Sequence, residues 1–432
     1  MSPKRVLLTG ANGFIGAHLT SALLAAGHDV VAAVRQPAAM AARFPDAEAI
    51  HADMNRDVTV EAWLPRLEGV DAVINCAGVL QGGRGQDMAA IHTLAPAALF
   101  DACRAAGVKR VIQISAISAN AAAGTAYARS KQAADDHLQG LDLDWVVLRP
   151  SLIYGEGAYG GTALLRALAA FPYVTPLAGK GEQPFRPLHV DDLAETVVRC
   201  LERPDLARRV LEPVGPALET LKSIVAQYRA WLGRPPARPL HVPLPLVRAA
   251  CRLGDLFGHG PLTTTALKQI EYGNAGHETG FIGTIGFQPM RLAKRLQLRP
   301  AQPQELWHAR LYLLRPLVRG VLAVLWLISG LLGLASLNSV AVPLLGAAGL
   351  PAALAWGLGA AASLLDLAIA ALLALNWRPR ALGLLQLGLI AAYSLALTAI
   401  EPSLWADPFG PLLKNLPILV LVLVQMVLAE ER

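Results

Sequence analysis

The sequence predicts an α/β fold, a doubly wound parallel sheet with a small second lobe, followed by an all-α bundle of four membrane-crossing helices. Three observations predict it. Short apolar runs alternate with helical stretches of about ten or more residues through the first part of the chain. A glycine-spaced turn, Thr9-Gly10-Ala11-Asn12-Gly13-Phe14-Ile15-Gly16, joins the first apolar run to the first helical one. From Gly320 onward Leu, Ala, Val, Ile and Gly dominate, in segments that approach the ~20 residues needed to cross a bilayer.

The chain has 432 residues, enough for two or three domains that each bury a core. Its hydrophobic fraction of 54% against 16% charged is too apolar for an ordinary soluble protein, and the excess lies after residue 320. The net charge is +6, with no block of Lys and Arg interleaved with aromatics, so nothing points to nucleic acid. Cys76, Cys103, Cys200 and Cys251 are scattered, form no CxxC pair and precede the hydrophobic region; they fit reduced cytosolic thiols and no metal site. Met1 to Arg5 leads straight into Val6–Thr9, which leaves no room for a signal peptide and places the first domain on the cytoplasmic side.

In chain order, Val6–Thr9 reads as a strand and Phe14–Ala26 as a helix. Asp29–Val34, Ala47–His51 and Asp71–Asn75 are strands separated by helical stretches. Ala89–Ala106 is a long helix, Arg110–Ile114 and Trp145–Leu148 are strands, and no repeat of solenoid period is present. Residues 1–300 form this domain, and from about Ser151 its Pro- and Gly-rich, mixed pattern suggests the smaller lobe. Leu240–Leu256, with Arg248 and Arg252 among apolar residues, is amphipathic; it either lies on a membrane or packs on the lobe.

Residues 301–319 read as a linker helix, and 320–432 as four spans: Gly320–Leu337, Pro351–Leu375, Ala381–Ile400 and Leu412–Ala429, the last requiring Lys414 to reach the interface. Arg310, Arg315 and Arg319 precede the first span, and Arg378 and Arg380 fill the second loop. The positive-inside rule then puts both chain ends in the cytoplasm of a multi-pass protein of the plasma membrane, a bacterial inner membrane being the expected one. Asp366 lies within the second span; it reads either as a proton or quinone site or as a neutral hydrogen-bonded residue, with Gln386, Tyr393 and Gln425 as candidate partners.

The glycine turn sits where a strand meets a helix. Glycines there allow a tight turn, let backbone approach a pyrophosphate and bring the helix close to the strand, while the helix N-terminus offers free N–H groups. An NAD site needs an acid after the second strand; here Arg35 follows Val34, and a cation suits the 2′-phosphate of NADP, NAD being the less favoured cofactor. Otherwise Arg35 is a solvated loop residue. Tyr127 and Lys131, four apart, share one helix face, where an ammonium can favour a phenolate and let the tyrosine move a proton.

These segments, with His51-Ala-Asp53, Asn75-Cys-Ala-Gly78, Tyr127-Ala-Arg-Ser-Lys131, Arg149-Pro150 and His189-Val-Asp-Asp-Leu193, resemble the extended and atypical short-chain dehydrogenase/reductases, over residues 4 to about 300. The resemblance implies a Rossmann domain with Thr9, Gly10, Asn12, Gly13, Phe14, Ile15, Gly16, Arg35, Asp53, Ala77, Gly78 and Lys131 along the cofactor. Asp53 would meet the adenine; from the residues alone it is equally a solvated strand end. His189 and Asp191 belong to a structural segment of the family and not to a metal site. The family's usual Ser or Thr two residues after Ser115 is Ile117 here, so Ser115 or Ser118 would substitute. That departure resembles an atypical subgroup, which includes a respiratory complex I accessory subunit, in which cofactor binding is structural. The C-terminal bundle resembles DoxX-like membrane proteins through its short loops and Arg315-Pro-Leu317, some of whose relatives are linked with quinone chemistry.

Expected activities follow from that resemblance. The first is NADPH-dependent oxidoreduction of a carbonyl or hydroxyl on a hydrophobic substrate, a lipid or quinone among the candidates. Tyr127 would be the proton donor, Lys131 its activator and Ser115 an orienter. The others are a non-catalytic NADPH-binding module that stabilises or regulates a membrane assembly, and sugar-nucleotide epimerisation or dehydration.

Overall fold

Val6, Leu7 and Leu8 are wholly buried because their strand lies inside a parallel sheet covered on both faces, which is why it shows no polar alternation. The computed structural model describes residues 2–80, 85–157, 160–257, 262–408 and 410–430. The chain forms two units, Met1–Leu306 and Trp307–Arg432.

In the first unit, β1 (Arg5–Thr9), α1 (Phe14–Ala25), β2 (Asp29–Val34), β3 (Glu48–His51) and β4 (Ala72–Asn75) come first. A π turn, Ala90–Leu94, runs into α2 (Ala95–Ala106), and β5 (Arg110–Ile114), α3 (Ala126–Gln139) and β6 (Asp144–Leu148) follow. Beyond them lie β7 (Val174–Ala178), α4 (Val190–Glu202), β8 (Arg209–Leu211), α5 (Leu221–Trp231), β9 (Arg238–Val242), α6 (Leu244–Phe257), α7 (Thr264–Tyr272) and α8 (Leu292–Leu298). Among the described residues the main sheet has seven strands in the order β8-β6-β5-β4-β1-β2-β3, every pair parallel.

One sheet face packs Leu8, Ile74, Ile112 and Val146 against α1 and α4; the other packs Leu7, Val73 and Val111 with Trp63, Leu99 and Phe100. The strand order reverses between β1 and β4, so a crevice opens at their C-terminal ends, where ligands of such sheets bind. A buried polar chain fixes those ends. Thr9 Oγ1 donates to Asn75 Oδ1 at 2.5 Å, and Asn75 Nδ2 donates to Gln113 Oε1 at 2.7 Å.

The smaller lobe pairs β7 with β9 in parallel. The amphipathic stretch expected over Leu240–Leu256 is divided: its first residues belong to β9, and the helix begins only at Leu244. Pro243 accounts for the break, since it lacks the N–H that a continued ladder needs.

The second unit is built on α9 (Pro303–Ala335), α10 (Ala352–Ala374), α11 (Pro379–Ile400) and α12 (Asn415–Leu428), with a short helix, Val342–Ala347, between α9 and α10. Among the described residues, α9, α10 and α11 are long and apolar enough to cross a membrane. The sequence suggests a separate linker helix over 301–319; instead linker and first span form one 33-residue helix. Pro316 lies inside it without ending it, because strong helix formers flank it on both sides. The fourth expected span, 412–429, is helical for 14 residues, about 21 Å, against the ~30 Å of a bilayer core. Turns occupy residues 411–414 before it.

Inside this unit Leu322, Trp326, Ile369, Leu373, Leu382 and Val422 form the core. Close approach needs small residues: a Cβ on Gly330 would lie 2.8 Å from Ser363 O, and one on Gly383 would lie 2.3 Å from Met426.

Candidate functional site

The turn after β1 is built around what a side chain would obstruct. Gly10 has φ +66°, and a Cβ there would lie 3.0 Å from the Ala77 backbone; one on Gly16 would lie 2.1 Å from Gly10 O. Gly13 caps α1 with no side-chain hydrogen bond, and the first turn carries no acid. The first N–H groups of the helix therefore stay available to an anion. Thr9 holds the facing loop, its Oγ1 accepting from the N–H groups of Cys76 and Ala77. Asn12 is exposed while Phe14 and Ile15 are half-buried. Residues 9–16 and 76–78 thus form one cradle at the switch point, and its backbone donors and glycines fit a dinucleotide pyrophosphate.

Arg35 and Asp53 leave neighbouring strands, Val34 being paired with His51. Burial raises the Asp53 carboxyl, but the Asn55 hydrogen bonds, Arg35 and Arg56 outweigh it and hold the group below the ordinary carboxylate value. Asp53 Oδ1 accepts from the Asn55 backbone at 3.1 Å and side chain at 3.0 Å, which shapes the loop after β3. Arg35 is exposed there, beside Asp53 and with no acid at the end of β2.

Thr125 caps α3 by accepting from the Ala128 N–H, and the helix presents Tyr127, Lys131 and Asp135 at intervals of four. Lys131 is buried, its Nζ donating to Ile114 O at 3.1 Å and Ala77 O at 3.4 Å. The ammonium thus tethers α3 to β5 and to the cradle. A Cβ on Gly78 would lie 3.1 Å from that Nζ, so the glycine is what lets the loop pass. Burial lowers the Lys131 pKa, opposed by Asp135 and Cys76. The Tyr127 phenol is pushed up to about 12 by burial, with the Asp135 carboxylate adding to the effect.

Ser115 lies beside this pair, but its Oγ donates to Asp135 Oδ2 at 2.8 Å. With its proton so placed, Ser115 can accept a hydrogen bond from a reacting group and cannot donate one. Ser118 is buried in the following turn.

Two residues that the motifs do not single out complete the arrangement. Asp135 has no solvent exposure and takes Arg149 Nε at 2.9 Å as well as Ser115. Its carboxyl is raised by burial, against Ser115, Arg149 and Lys131. The position could have been found by extending the i, i+4 spacing one step past Lys131. His92, in the π turn before α2, sets its ring edge-on to Tyr127 at 5.4 Å between centroids. Its Nε2 accepts from the Val79 N–H at 2.9 Å, so Nδ1 carries the proton and donates to Ser130 Oγ at 3.0 Å. Burial and Lys131 push it down to about 3, so it stays neutral. No spacing signal in the sequence marks His92. His92→Ala strips the Val79 N–H of its acceptor and leaves Ser130 Oγ only its bond to Tyr127 O, and is expected to cost about 1–3 kcal/mol, read by denaturant unfolding.

His18 and Glu156 join Asp191, their ligating atoms within 4.8 Å of one another, a convergence the sequence spacing does not show. Arginines already hold the carboxylates: Arg299 bonds Glu156, and Arg295 lies 3.8 Å from Asp191. His189 caps α4, accepting from the Asp191 N–H at 3.2 Å.

In the second unit Asp366 is buried, accepting from Ser329 Oγ at 2.7 Å and from Tyr393 OH at 3.3 Å. Tyr393 is thus the partner brought to it, whereas Gln386 accepts from Trp326 Nε1 at 2.9 Å. Gln425 is buried with its Oε1 unpartnered. The arrangement links α9, α10 and α11 through one carboxyl.

Comparison with known proteins agrees with both units. Residues 6–211 match the NAD dependent epimerase/dehydratase family, and residues 323–423 match the DoxX-like family. The chain is 28% identical over 251 residues to a ceramide reductase of Caulobacter vibrioides, covering 58% of this chain and 77% of the relative. It is 30% identical over 265 residues to a 3-diazoavenalumate denitrifying reductase of a Streptomyces species, covering 55% and 84% respectively. Among solved structures, MoeE5 in complex with UDP-glucuronic acid and NAD aligns with TM-score 0.51 at 22% identity, over 68% of this chain and 96% of that one. UDP-N-acetylglucosamine 4-epimerase from Bacillus cereus aligns with TM-score 0.51 at 15% identity, over 69% and 97%. The chain belongs to the NAD dependent epimerase/dehydratase family of extended short-chain dehydrogenase/reductases and carries a C-terminal DoxX-like domain.

Proposed function

We propose that this protein is a membrane-anchored NADPH-dependent oxidoreductase acting on a carbonyl or hydroxyl group of a hydrophobic substrate. The observation that carries the reading is Lys131: its buried ammonium bonds the cradle at Ala77 from the helix that presents Tyr127. When bound, the nicotinamide dinucleotide supplies or accepts the hydride. Tyr127 gives its phenolic proton to the oxygen that becomes the hydroxyl, or removes that proton in the reverse direction. Lys131 fixes the Ala77 loop that would hold the dinucleotide, and Asp135 holds Ser115 as an acceptor. Fusion to three apolar helices supports a substrate drawn from the membrane, and the ceramide reductase relative is named for a lipid substrate.

Arg35 supports NADP over NAD. Arg35→Ser is expected to weaken NADPH binding by roughly 10–100-fold, the loss of a charge-assisted hydrogen bond, while NADH binding stays near its starting value. Equal losses for both cofactors would remove Arg35 from the 2′-phosphate. Arg310, Arg315 and Arg319 in the first half of α9, with Arg378 and Arg380 at the start of α11, support a cytoplasmic first unit.

The reading is tested with the purified full chain in mixed micelles, supplied with NADPH and long-chain ketones or aldehydes. One alcohol formed per NADPH consumed is the expected result. With the phenol at about 12, the rate of reduction should stay flat across neutral and mildly alkaline pH, because Tyr127 remains protonated. Alcohol oxidation, which needs the deprotonated phenol, should rise about tenfold per pH unit over the same range. His92, at about 3, should add no limb near pH 6.5.

A second reading has an observation behind it. Ser115 donates to Asp135 and offers no proton to a substrate, as a module that binds NADPH to regulate a membrane assembly would tolerate. In that case the micelle assay shows saturable NADPH binding without consumption. Sugar-nucleotide epimerisation would interconvert two sugars with no net consumption.

A further inference from the structure

We infer that the β9–α6 face of the smaller lobe is a docking surface for an anionic lipid bilayer. Within α6, Cys251 is buried while Leu246 and Leu253, seven residues apart and on one helix face, are 61% and 58% exposed. Ala249 and Ala250 are exposed between them. The buried side of the helix packs on α7, where a Cβ on Gly254 would lie 1.8 Å from Leu262 O. Leu240 on the preceding strand is 49% exposed. Tyr173, just before the strand that pairs with β9, is 90% exposed and held at φ +62°. Two leucines of one helix, a strand leucine and a tyrosine are thus left uncovered among the described residues, more apolar surface than a folded lobe usually leaves in water.

Charge selects the occupant. From Thr220 to Gly254 the sequence has no Asp or Glu but contains Lys222, Arg229, Arg234, Arg238, Arg248 and Arg252, and Asp255, the acid within α6, accepts from the Thr264 N–H and hydroxyl. Arg229 is buried and bonded to backbone carbonyls, and Arg248 pairs with Glu271 across to α7. Arg238, paired with Val174 next to Tyr173, and Arg252, beside Leu253 in sequence, are exposed. Leucines and an aromatic among arginines match the interface of an anionic bilayer, where apolar groups enter about 5–10 Å and cations meet headgroups. A second copy of the chain would bring the same cations face to face. The chain also leads to a bilayer: only residues 299–302 separate α8 from α9, a helix long and apolar enough to cross a membrane.

The surface is tested in the full chain, reconstituted in vesicles of phosphatidylglycerol and phosphatidylethanolamine. A diazirine-bearing amino acid is placed at position 246 or 253, and at exposed Glu68 as a control. Irradiation should give lipid adducts at 246 and 253, several-fold above position 68, by mass spectrometry. Arg252→Gln, a change at an exposed site, should lower the adduct yield about fivefold, the attraction of one cation near an anionic surface. High salt, or vesicles of phosphatidylcholine alone, should lower it likewise. Covalent dimers, adducts to another protein, no adducts, or equal labelling at 68 would each overturn the inference. The readout is independent of cofactor binding and turnover, so it stands or falls apart from the proposed activity.

Discussion

Tyr127→Phe is expected to cut turnover by about 10²–10⁴-fold while leaving NADPH affinity near that of the unaltered chain. The phenyl ring keeps its edge against His92 and removes one oxygen, so packing within α3 should survive. The half-buried phenol is not among the groups that fix the cradle; Lys131, Thr9 and the glycines do that. A loss confined to kcat, with binding intact, identifies proton transfer at Tyr127. Equal loss of binding and turnover would make the residue structural. Turnover unchanged would remove Tyr127 from the chemistry and favour the non-catalytic module.

The second large effect concerns stability. Arg149→Met leaves the Asp135 carboxylate in a site without solvent exposure, with Ser115 as its remaining side-chain donor. Breaking a buried pair from one side costs about 3–5 kcal/mol, enough to threaten folding of a marginally stable domain. The sign of the pH dependence follows from the direction of the Asp135 shift, which burial raises and Arg149 opposes. Without the arginine the carboxyl moves further up. The penalty is then present in full only above the raised value of the folded chain, shrinks as pH falls below it, and is gone below the ordinary carboxylate value. Denaturant unfolding at two pH values checks this. Arg149→Met combined with Asp135→Leu should recover much of the loss, because the orphaned charge is then gone.

Much of the first unit is legible in the sequence because its signals are local. Six of the seven strands of the main sheet are read from short runs in the sequence, while β8, only Arg209–Leu211, gives no such signal; the cradle is announced by glycines whose missing side chains are a steric requirement at Gly10 and Gly16. The Tyr127–Lys131 pair is legible for the same reason, one turn of helix being enough to place both. What sequence reading does not give is who already holds whom. Ser115 stands at the expected strand end, yet its proton belongs to Asp135, a residue twenty positions away. His92 reaches Tyr127 from a different helix, and the meeting of His18, Glu156 and Asp191 depends on three separated segments. The membrane unit is legible in hydropathy alone. Composition locates its apolar segments but cannot tell a linker and a span from one helix, as Pro303–Ala335 turns out to be. The partners of Asp366 illustrate the same limit: candidates on the other spans were plausible by depth, and packing brought Ser329 and Tyr393 to the carboxyl.

The proposed chemistry requires that the cradle after β1 hold NADP(H). Titration of the detergent-solubilised full chain with NADPH and with NADH, followed by nicotinamide fluorescence, tests it most directly. Saturable binding of NADPH, tighter than that of NADH and weakened by Arg35→Ser, is the predicted result. Binding of neither cofactor by folded protein would contradict the claim and leave Tyr127 and Lys131 without a hydride partner.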